Sequence, residues 1–167
     1  MSNAWSNPPL LVGKHVQLQP LRVDHALGLS EITDPKDFRY FLNVYPRSGE
    51  LAELKRHIEE LLAMPGVMPF CVTTLAGRPI GMTSYMELRP LHKGLEIGMT
   101  WIALEARRGP ANPEQKLLLL KYAFGAMGCE RVQLKCDAEN LASRGAIQKL
   151  GAQFEGILRR HGVRPDG

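Results

Sequence analysis

The sequence is poor in cysteine and in long apolar runs. Its 167 residues include three cysteines, Cys71, Cys129 and Cys136, and none of them forms a C-x-x-C pair. An odd number of cysteines without this spacing argues against a disulfide framework and against a zinc site, so we expect no bound metal. No apolar stretch approaches the roughly 20 residues that span a bilayer, and the N-terminus lacks the basic and apolar regions of a secretory signal. These absences predict a cytoplasmic protein without a membrane partner.

The sequence also lacks a strong excess of charge of either sign. It has 21 Lys and Arg residues against 17 Asp and Glu residues, a net charge of +4, and the basic residues are dispersed. Such a balance favours anionic ligands only weakly. The aromatic and glycine patterns of RNA-binding modules are absent, so we expect no nucleic-acid partner. The length fits one domain, which we place at 13–167, and we predict that 1–12 is disordered or tag-like.

Apolar periodicity divides the chain into strands and helices. Alternating apolar residues predict strands, whereas apolar residues three or four positions apart predict helices. The predicted strands are 13–21, 69–76, 79–88, 95–103, 130–136 and 153–160, and the longer predicted helices are 48–64, 113–127 and 140–150. Cys71 and Cys136 fall inside strands, where free cysteine is a small core residue. His57 lies among charged residues of its helix, so we expect it to be exposed.

An anion site is predicted where the strand 95–103 gives way to the next helix. Gly109 would let the backbone approach a ligand closely. Asn112 can cap the helix and Pro113 suits its first turn, with Gln115 completing a capping box. The helix N-terminus then offers unpaired amides and a positive dipole end, which suit a pyrophosphate. The usable amides are those of Arg108, Gly109, Ala111, Asn112 and the first turn.

Three motifs in this half of the sequence carry a resemblance to a known family. They are Glu96-Ile97-Gly98, the run RRGPANPE at 107–114 followed by KLLLLKYAF, and the run DAENLASRGAIQKLGAQFEGILRRH at 137–161. On these motifs the sequence resembles the GNAT acyltransferases over about residues 14–167. More narrowly, it resembles the branch related to ribosomal-protein N-terminal acetyltransferases.

This resemblance implies both a fold and a reaction. The fold would be α/β, with a mixed, mostly antiparallel sheet that is splayed at a bulged central strand and has helices on both faces. The reaction would be transfer of an acetyl group from acetyl-CoA to a primary amine. The acceptor would be the α-amino group of a protein or peptide N-terminus, with a small-molecule amine as second choice. A non-catalytic acyl-CoA-binding domain is the alternative.

The resemblance also implies which residues hold the co-substrate. Backbone groups near Ile102 would bind the pantetheine arm beside a bulge within 99–103. Arg107 and Arg108 would add charge-assisted hydrogen bonds to the phosphates. Asn140, which caps the second helix by its position, would also bind the CoA arm.

Two side chains are candidates for proton transfer. Many GNAT enzymes carry a tyrosine acid where this sequence has Ile147, and in the ribosomal-protein branch a serine at the place of Ser143 is proposed to take that role. We therefore expect Ser143 to contact the CoA sulfur, the alternative being a serine that bonds only to the backbone. Glu96 is the candidate base. By strand alternation it should share a face with Gly98 and Thr100, and its alternative role is an ion pair with a cross-strand Arg or Lys.

Several points stay open at this stage. His161, His92 and Tyr85 are weaker candidates for the base. The aromatic segment 36–47 is expected to border a cleft and to influence which acceptor is used. Family members continue after 153–160 with a further strand, so either the domain is short or this sequence lacks its last C-terminal strand. Both a monomer and a homodimer are compatible with the pattern.

Overall fold

A computed structural model describes residues 3–42 and 45–164. Six strands form one sheet in the order β1 to β6, antiparallel throughout except for the parallel pair β5–β6. The strands are β1 (Leu11–Val12), β2 (Val16–Pro20), β3 (Met68–Thr74), β4 (Pro79–Arg89), β5 (Gly94–Ile102) and β6 (Arg131–Gln133). The helices are α1 (Ala26–Ser30), α2 (Leu51–Ala63), α3 (Ala111–Phe124) and α4 (Leu141–Lys149). The predicted α/β fold with a mixed, mostly antiparallel sheet is confirmed.

Both faces of the sheet are covered by helices, as expected. On one face, buried side chains of α3 pack against residues of β2 to β5, namely Leu18, Phe70, Tyr85, Leu95 and Ile97. On the other face, α1 and α2 cover a second apolar cluster that includes Cys71, Met82 and Trp101. Helix α2 supplies Leu54, Ile58 and Leu61 to this cluster, because residues three and four apart share one side of a helix. No helix in the described segments is long and apolar enough to cross a bilayer.

The segment before residue 13 differs from the expectation of a disordered or tag-like stretch. The indole nitrogen of Trp5 donates a hydrogen bond to the carbonyl of Met127 at 3.0 Å. Leu11 and Val12 pair with β2, and Leu11 packs against the cluster beneath α3. From residue 3 onward the chain therefore belongs to the domain, held by contacts with residues more than a hundred positions away, which local sequence patterns do not reveal.

Two predicted strands are corrected at the C-terminal side of the sheet. β6 ends at Gln133, so Cys136 is an exposed residue after the strand and not a core residue. Residues 153–158 have no regular secondary structure and 159–160 form a turn, so the segment pairs with no strand in the described chain, and Phe154, Ile157 and Leu158 are exposed. A strand needs a neighbour for its backbone hydrogen bonds, and β6, the last strand of the sheet in the described chain, pairs only with β5.

His57 is buried and not exposed as predicted. It lies three residues after Leu54 and four before Leu61, so helical spacing places it on the apolar side of α2 despite its charged neighbours in sequence. Its side chain is 3% exposed, and its Nδ1 atom has no hydrogen-bond partner among the described residues. Burial lowers the pKa of His57 from 6.5 to about 4.

This burial makes the folded state sensitive to acid. Between pH 6.5 and pH 4, His57 binds a proton in the unfolded chain but stays neutral in the folded protein. The free energy of unfolding therefore decreases as the pH falls through this window. We expect lowering the pH from 7.5 to 5 to cost about 2 kcal/mol through this group alone, at about 1.4 kcal/mol per pKa unit.

His57→Leu should abolish this component of the pH dependence. The measurement is the free energy of unfolding by urea at both pH values, with His92→Leu as the control, since His92 lies in an exposed turn. Equal pH dependence in the wild type and the His57→Leu variant would show that His57 does not titrate in this way.

Candidate active site

Strand β5 contains a bulge next to its middle. Ser84 of β4 faces Gly98, whereas Met82 faces Trp101, so the single intervening residue of β4 is opposed by two residues of β5. Those two residues are Met99 and Thr100, and Met99 has a φ of 48°. The bulge expected within this part of the strand is therefore present. A bulge leaves one residue unpaired and shifts the side-chain alternation by one position.

The shift corrects the predicted face of Thr100. Before the bulge, Leu95 and Ile97 pack towards α3, and Glu96 points to the opposite face. After the bulge, Thr100 contacts α3, because its hydroxyl accepts a hydrogen bond from Lys116. Glu96 and Gly98 still share a face: a Cβ atom on Gly98 would lie 3.2 Å from Glu96 Oε1.

The sheet opens between β5 and β6 just before the bulge. β5 and β6 pair only from Gly94 to Glu96 of β5, and β5 continues to Ile102 without β6 beside it. The carboxyl ends of two parallel strands lie at the same edge of a sheet. The segments that lead into α3 and α4 therefore leave the sheet on the same side, next to the opening. This arrangement is the splayed sheet that the sequence predicts.

The loop between β5 and α3 places its two arginines differently. Arg107 forms an ion pair with Asp37, and its Nε atom donates to the carbonyl of Ile102 at 2.8 Å. Arg108 is exposed, has a φ of 61° and makes no ion pair within the described part of the chain. A Cβ atom on Gly109 would meet only the carbonyl of Ala106, at 3.7 Å. The loop therefore presents an open backbone surface and an uncompensated cation.

Helix α3 begins earlier than predicted. Its first residue is Ala111, after Pro110, which already has helical backbone angles. Asn112 therefore lies inside the first turn and does not cap the helix, and its side-chain oxygen accepts from Gln115 Nε2 at 2.9 Å. The first N–H groups of a helix have no partner within it, so the amides of Ala111 and Asn112 remain suited to an anion.

Glu114 anchors this helix start to the sheet, a role that the sequence analysis missed. Its carboxylate accepts from the amides of Lys14, His15 and Val16 at 2.7, 2.7 and 2.9 Å. Burial alone raises the pKa of Glu114, but the three amide hydrogen bonds outweigh it and the pKa is lowered. Gly13 is the residue of the sequence that marks this contact, because a Cβ atom at that position would lie only 2.6 Å from the carboxyl carbon of Glu114.

Replacing Glu114 by Gln should destabilise the fold. An amide group has only one acceptor oxygen, and its NH2 group would face backbone donors. We expect a loss of roughly 2 kcal/mol in the free energy of unfolding, because hydrogen bonds to charged groups contribute about 1.5–3 kcal/mol. Glu105→Gln is the matched control, since Glu105 is exposed and pairs with Arg78 only at 3.6 Å. Equal urea midpoints for the two variants would contradict the anchoring role.

Asn140 and Ser143 lie where the sequence places them, at the start of α4. The side chain of Asn140 accepts from the amide of Ser143 at 3.1 Å, so the predicted cap is confirmed. Ser143 is half-buried in the first turn, and Ile147 lies one turn further along the helix. Both polar residues thus stand at the start of the helix that follows the carboxyl end of β6.

Glu96 is part of a polar network at the point where β5 and β6 separate. Its side chain is 6% exposed, and one carboxylate oxygen lies 2.9 Å from Lys135 Nζ and 3.2 Å from Gln133 Nε2. Lys135 also pairs with Glu87 at 3.0 Å. The ion-paired alternative for Glu96 is therefore realised, with Lys135 as the partner.

The other candidate bases differ in accessibility. Tyr85 is fully buried, its hydroxyl donates to the carbonyl of Leu119 at 2.6 Å, and burial raises its pKa. Its hydroxyl is therefore committed to the core. His92 is exposed in the turn before β5, and His161 is exposed with its Nε2 atom 3.5 Å from Lys135 Nζ.

A cleft of 640 Å³ lies on the α2 side of the sheet, beside the bulge. It is lined by Tyr45, Arg47, Arg56, Glu60, Met64, Met86 and Met99. Tyr45 and Arg47 come from the segment 36–47 that was expected to border a cleft, although Asn43 and Val44 lie outside the described residues. Arg56 is paired with Glu53 and Glu60, and the guanidinium of Arg47 stacks 4.4 Å from the ring centre of Tyr45.

Comparison with known proteins gives a consistent result. The model of a family described as an acetyltransferase (GNAT) domain matches residues 15–153. A curated relative, the uncharacterized N-acetyltransferase YoaA of Bacillus subtilis (strain 168), is 33% identical over 82 residues. That match covers 49% of this chain and 46% of the relative, so the chain spans about half the length of the curated protein it matches.

Solved structures with the same fold were also found. A T. thermophilus protein described as an acetyltransferase is 35% identical, with a TM-score of 0.88 over 98% of this chain and 85% of that chain. Mycobacterium smegmatis RimJ in complex with CoA-disulfide is 19% identical, with a TM-score of 0.79 over 97% of this chain and 83% of that chain. At 19% identity the likeness shows the fold alone.

Proposed function

The chain belongs to the GNAT acetyltransferase family, and we propose that it transfers an acetyl group from acetyl-CoA to a primary amine. The observation that carries this proposal is the opening between β5 and β6 beside the bulge, with the starts of α3 and α4 at the same edge. Acyl transfer from a thioester needs a bound donor, a positioned amine and stabilisation of developing charge. The opening and the cleft offer separate places for a donor and an acceptor.

The loop before α3 supports a site for the negatively charged phosphates of CoA. The phosphates would be held by the amides of Arg108, Gly109, Ala111 and Asn112 and by the side chain of Arg108. The exposed face of Gly109 and the lack of an ion pair at Arg108 in the described chain support this role. Arg107 would contribute only if it exchanged Asp37 for a phosphate. Backbone near Ile102 and the side chain of Asn140 would bind the pantetheine arm.

Calorimetric titration with acetyl-CoA tests the donor site. Arg108→Glu should weaken binding by at least about tenfold, because each charge-assisted hydrogen bond contributes roughly 1.5–3 kcal/mol. Arg159→Glu is the control with the same change of charge, since Arg159 is also exposed but belongs to the C-terminal segment and not to this loop. Absence of binding by the wild type would reject the acetyltransferase proposal, and equal losses in the two variants would reject the assigned phosphate site.

Glu96 is our candidate base, acting on the acceptor ammonium through a water molecule. Lys135 holds the carboxylate in a fixed position, and Glu96 lies on the same face as Met86, a residue of the cleft. Ser143, at the start of α4, would return a proton to the CoA thiolate. The acetyl group moves from sulfur to nitrogen, and the ammonium nitrogen loses two protons. The first leaves to water through Glu96 before the attack, and the second is lost after the attack and balances the proton that the CoA thiolate gains.

Glu96→Gln should lower kcat about a hundredfold while leaving the affinity for acetyl-CoA unchanged, because general base catalysis contributes about 10²–10⁴-fold. Glu87→Gln is the matched control, since Glu87 shares Lys135 but is more exposed. The assay follows CoA release with a peptide that has a free α-amino group. If both variants lose activity equally, the network has a structural role and Glu96 is not the base.

The acceptor we favour is the α-amino group of a protein or peptide, with a small-molecule amine second. The size of the cleft and its three methionines support an acceptor with an apolar side chain next to its amine. Comparing peptides with free and blocked N-termini against small amines in the CoA-release assay separates these classes. We further propose that the protein acts in the cytoplasm as a monomer or homodimer, without nucleic acid.

A non-catalytic acyl-CoA-binding domain is the second candidate. Two observations favour it: the carboxylate of Glu96 is already paired with Lys135, and Ile147 stands where many relatives of the family carry a tyrosine. Such a domain would bind acetyl-CoA in the calorimeter but release no CoA with any amine. The two assays together therefore distinguish an enzyme from a binding domain.

A further inference from the structure

Lys116 of α3 is a buried lysine that the proposed mechanism does not use. Its side chain is 7% exposed. Its Nζ atom donates to the hydroxyl of Thr100 at 2.6 Å, and it forms no ion pair with any carboxylate in the described part of the chain. Thr100 is the second of the two residues that form the bulge of β5.

Three elements meet at the Thr100 hydroxyl. Lys116 reaches it from α3, and the hydroxyl of Thr83 on β4 lies 2.8 Å from it. Thr83 is the residue that the bulge opposes across the sheet. The Thr100 hydroxyl in turn donates to the carbonyl of Gly98 at 3.3 Å. This bond links the two residues on either side of Met99. The hydroxyl has one proton to give and two lone pairs to receive, and these three contacts use all of them.

Stability does not explain a lysine at this position. Burial without a carboxylate partner disfavours the charged form and lowers the pKa of Lys116 to about 7. An apolar side chain of similar length would avoid that cost and would fill the same space. A function that needs a hydrogen-bond donor directed at the bulge accounts for the lysine.

We propose that Lys116 is a positioning residue for acetyl transfer. By donating to Thr100, it holds the bulge of β5 in the conformation that directs the strand's unpaired backbone groups into the opening. This inference rests on the proposed function, because the opening matters only if it holds the acetyl donor. Lys116 touches neither reacting atom in this role and acts through Thr100.

Four variants test the proposal: Lys116→Met, Thr100→Val, the double variant, and Thr100→Ser. The first two remove the donor and the acceptor at nearly constant volume, and Thr100→Ser keeps the hydroxyl as the matched control. The assay measures acetyl transfer from acetyl-CoA to hydroxylamine, a small amine that needs no specific acceptor site, and counts only the rate above that of the same mixture without protein, because hydroxylamine also attacks thioesters uncatalysed. Affinity for acetyl-CoA is measured by calorimetry and stability by thermal unfolding.

We expect Lys116→Met and Thr100→Val each to lower kcat at least about tenfold, because a misplacement of about 1 Å can cost about a hundredfold in rate. The double variant should be no slower than the slower single variant, since both residues act through one hydrogen bond. Thr100→Ser should stay within about twofold of the wild type, because the hydroxyl is retained. Lys116→Met should be at least as thermally stable as the wild type.

Wild-type kcat in Lys116→Met would overturn the proposal, as would multiplicative losses in the double variant. A lower melting temperature that accompanies the loss of activity in Lys116→Met would assign a structural role to the lysine and overturn it too. Failure of the proposed function is distinguishable, because the wild type itself would then neither bind acetyl-CoA nor acetylate hydroxylamine. That result would reject both the proposed function and the positioning role of Lys116.

Discussion

The arrangement of the site depends on the bulge of β5. Because Met99 and Thr100 together oppose one residue of β4, every side chain after the bulge lies on the face opposite to the one that simple alternation assigns. Glu96 before the bulge therefore belongs to the cleft side of the sheet, while Thr100 after it belongs to the α3 side. In a regular strand Glu96 and Thr100, four positions apart, would lie on the same face of the sheet. The bulge places them on opposite faces.

The helix beside the bulge is held at several points. Glu114 ties its first turns to the start of β2 through three amides, and Lys116 ties it to Thr100. Arg107, just before the helix, joins Asp37 to the end of β5. A helix start that is anchored in this way keeps its unpaired amides in a constant direction. Preorganised donors of this kind cost no reorganisation when they meet a negative charge.

Much of this architecture follows from local sequence patterns, and the exceptions have physical causes. The existence of strands β2 to β5 and the Asn140 cap depend on near neighbours in the chain, so the sequence predicts them correctly. The face of Thr100 was wrong because a bulge breaks the period of two, and His57 was wrong because its charged neighbours in sequence do not share its side of the helix. The contact of Trp5 with Met127 depends on a distant part of the chain. The same is true of 153–160, which pairs with no strand in the described residues. Lys116 could have been noticed, since it lies three residues before buried Leu119 on the same side of α3.

The charged groups at the separation of β5 and β6 balance within one network. Glu87 and Glu96 share the cation of Lys135, and Arg89 joins them by donating to the side chain of Gln133 at 3.1 Å, so two carboxylates face two cations. The cluster is largely shielded from water on the Glu96 side, where screening is weaker than at the surface. A protonated amine that enters the neighbouring cleft therefore meets no net excess of charge, and its attraction to Glu96 depends on how closely it approaches that carboxylate. The pairing with Lys135 fixes the position of Glu96, and the same pairing favours the non-catalytic alternative, so the transfer assay decides between the two roles.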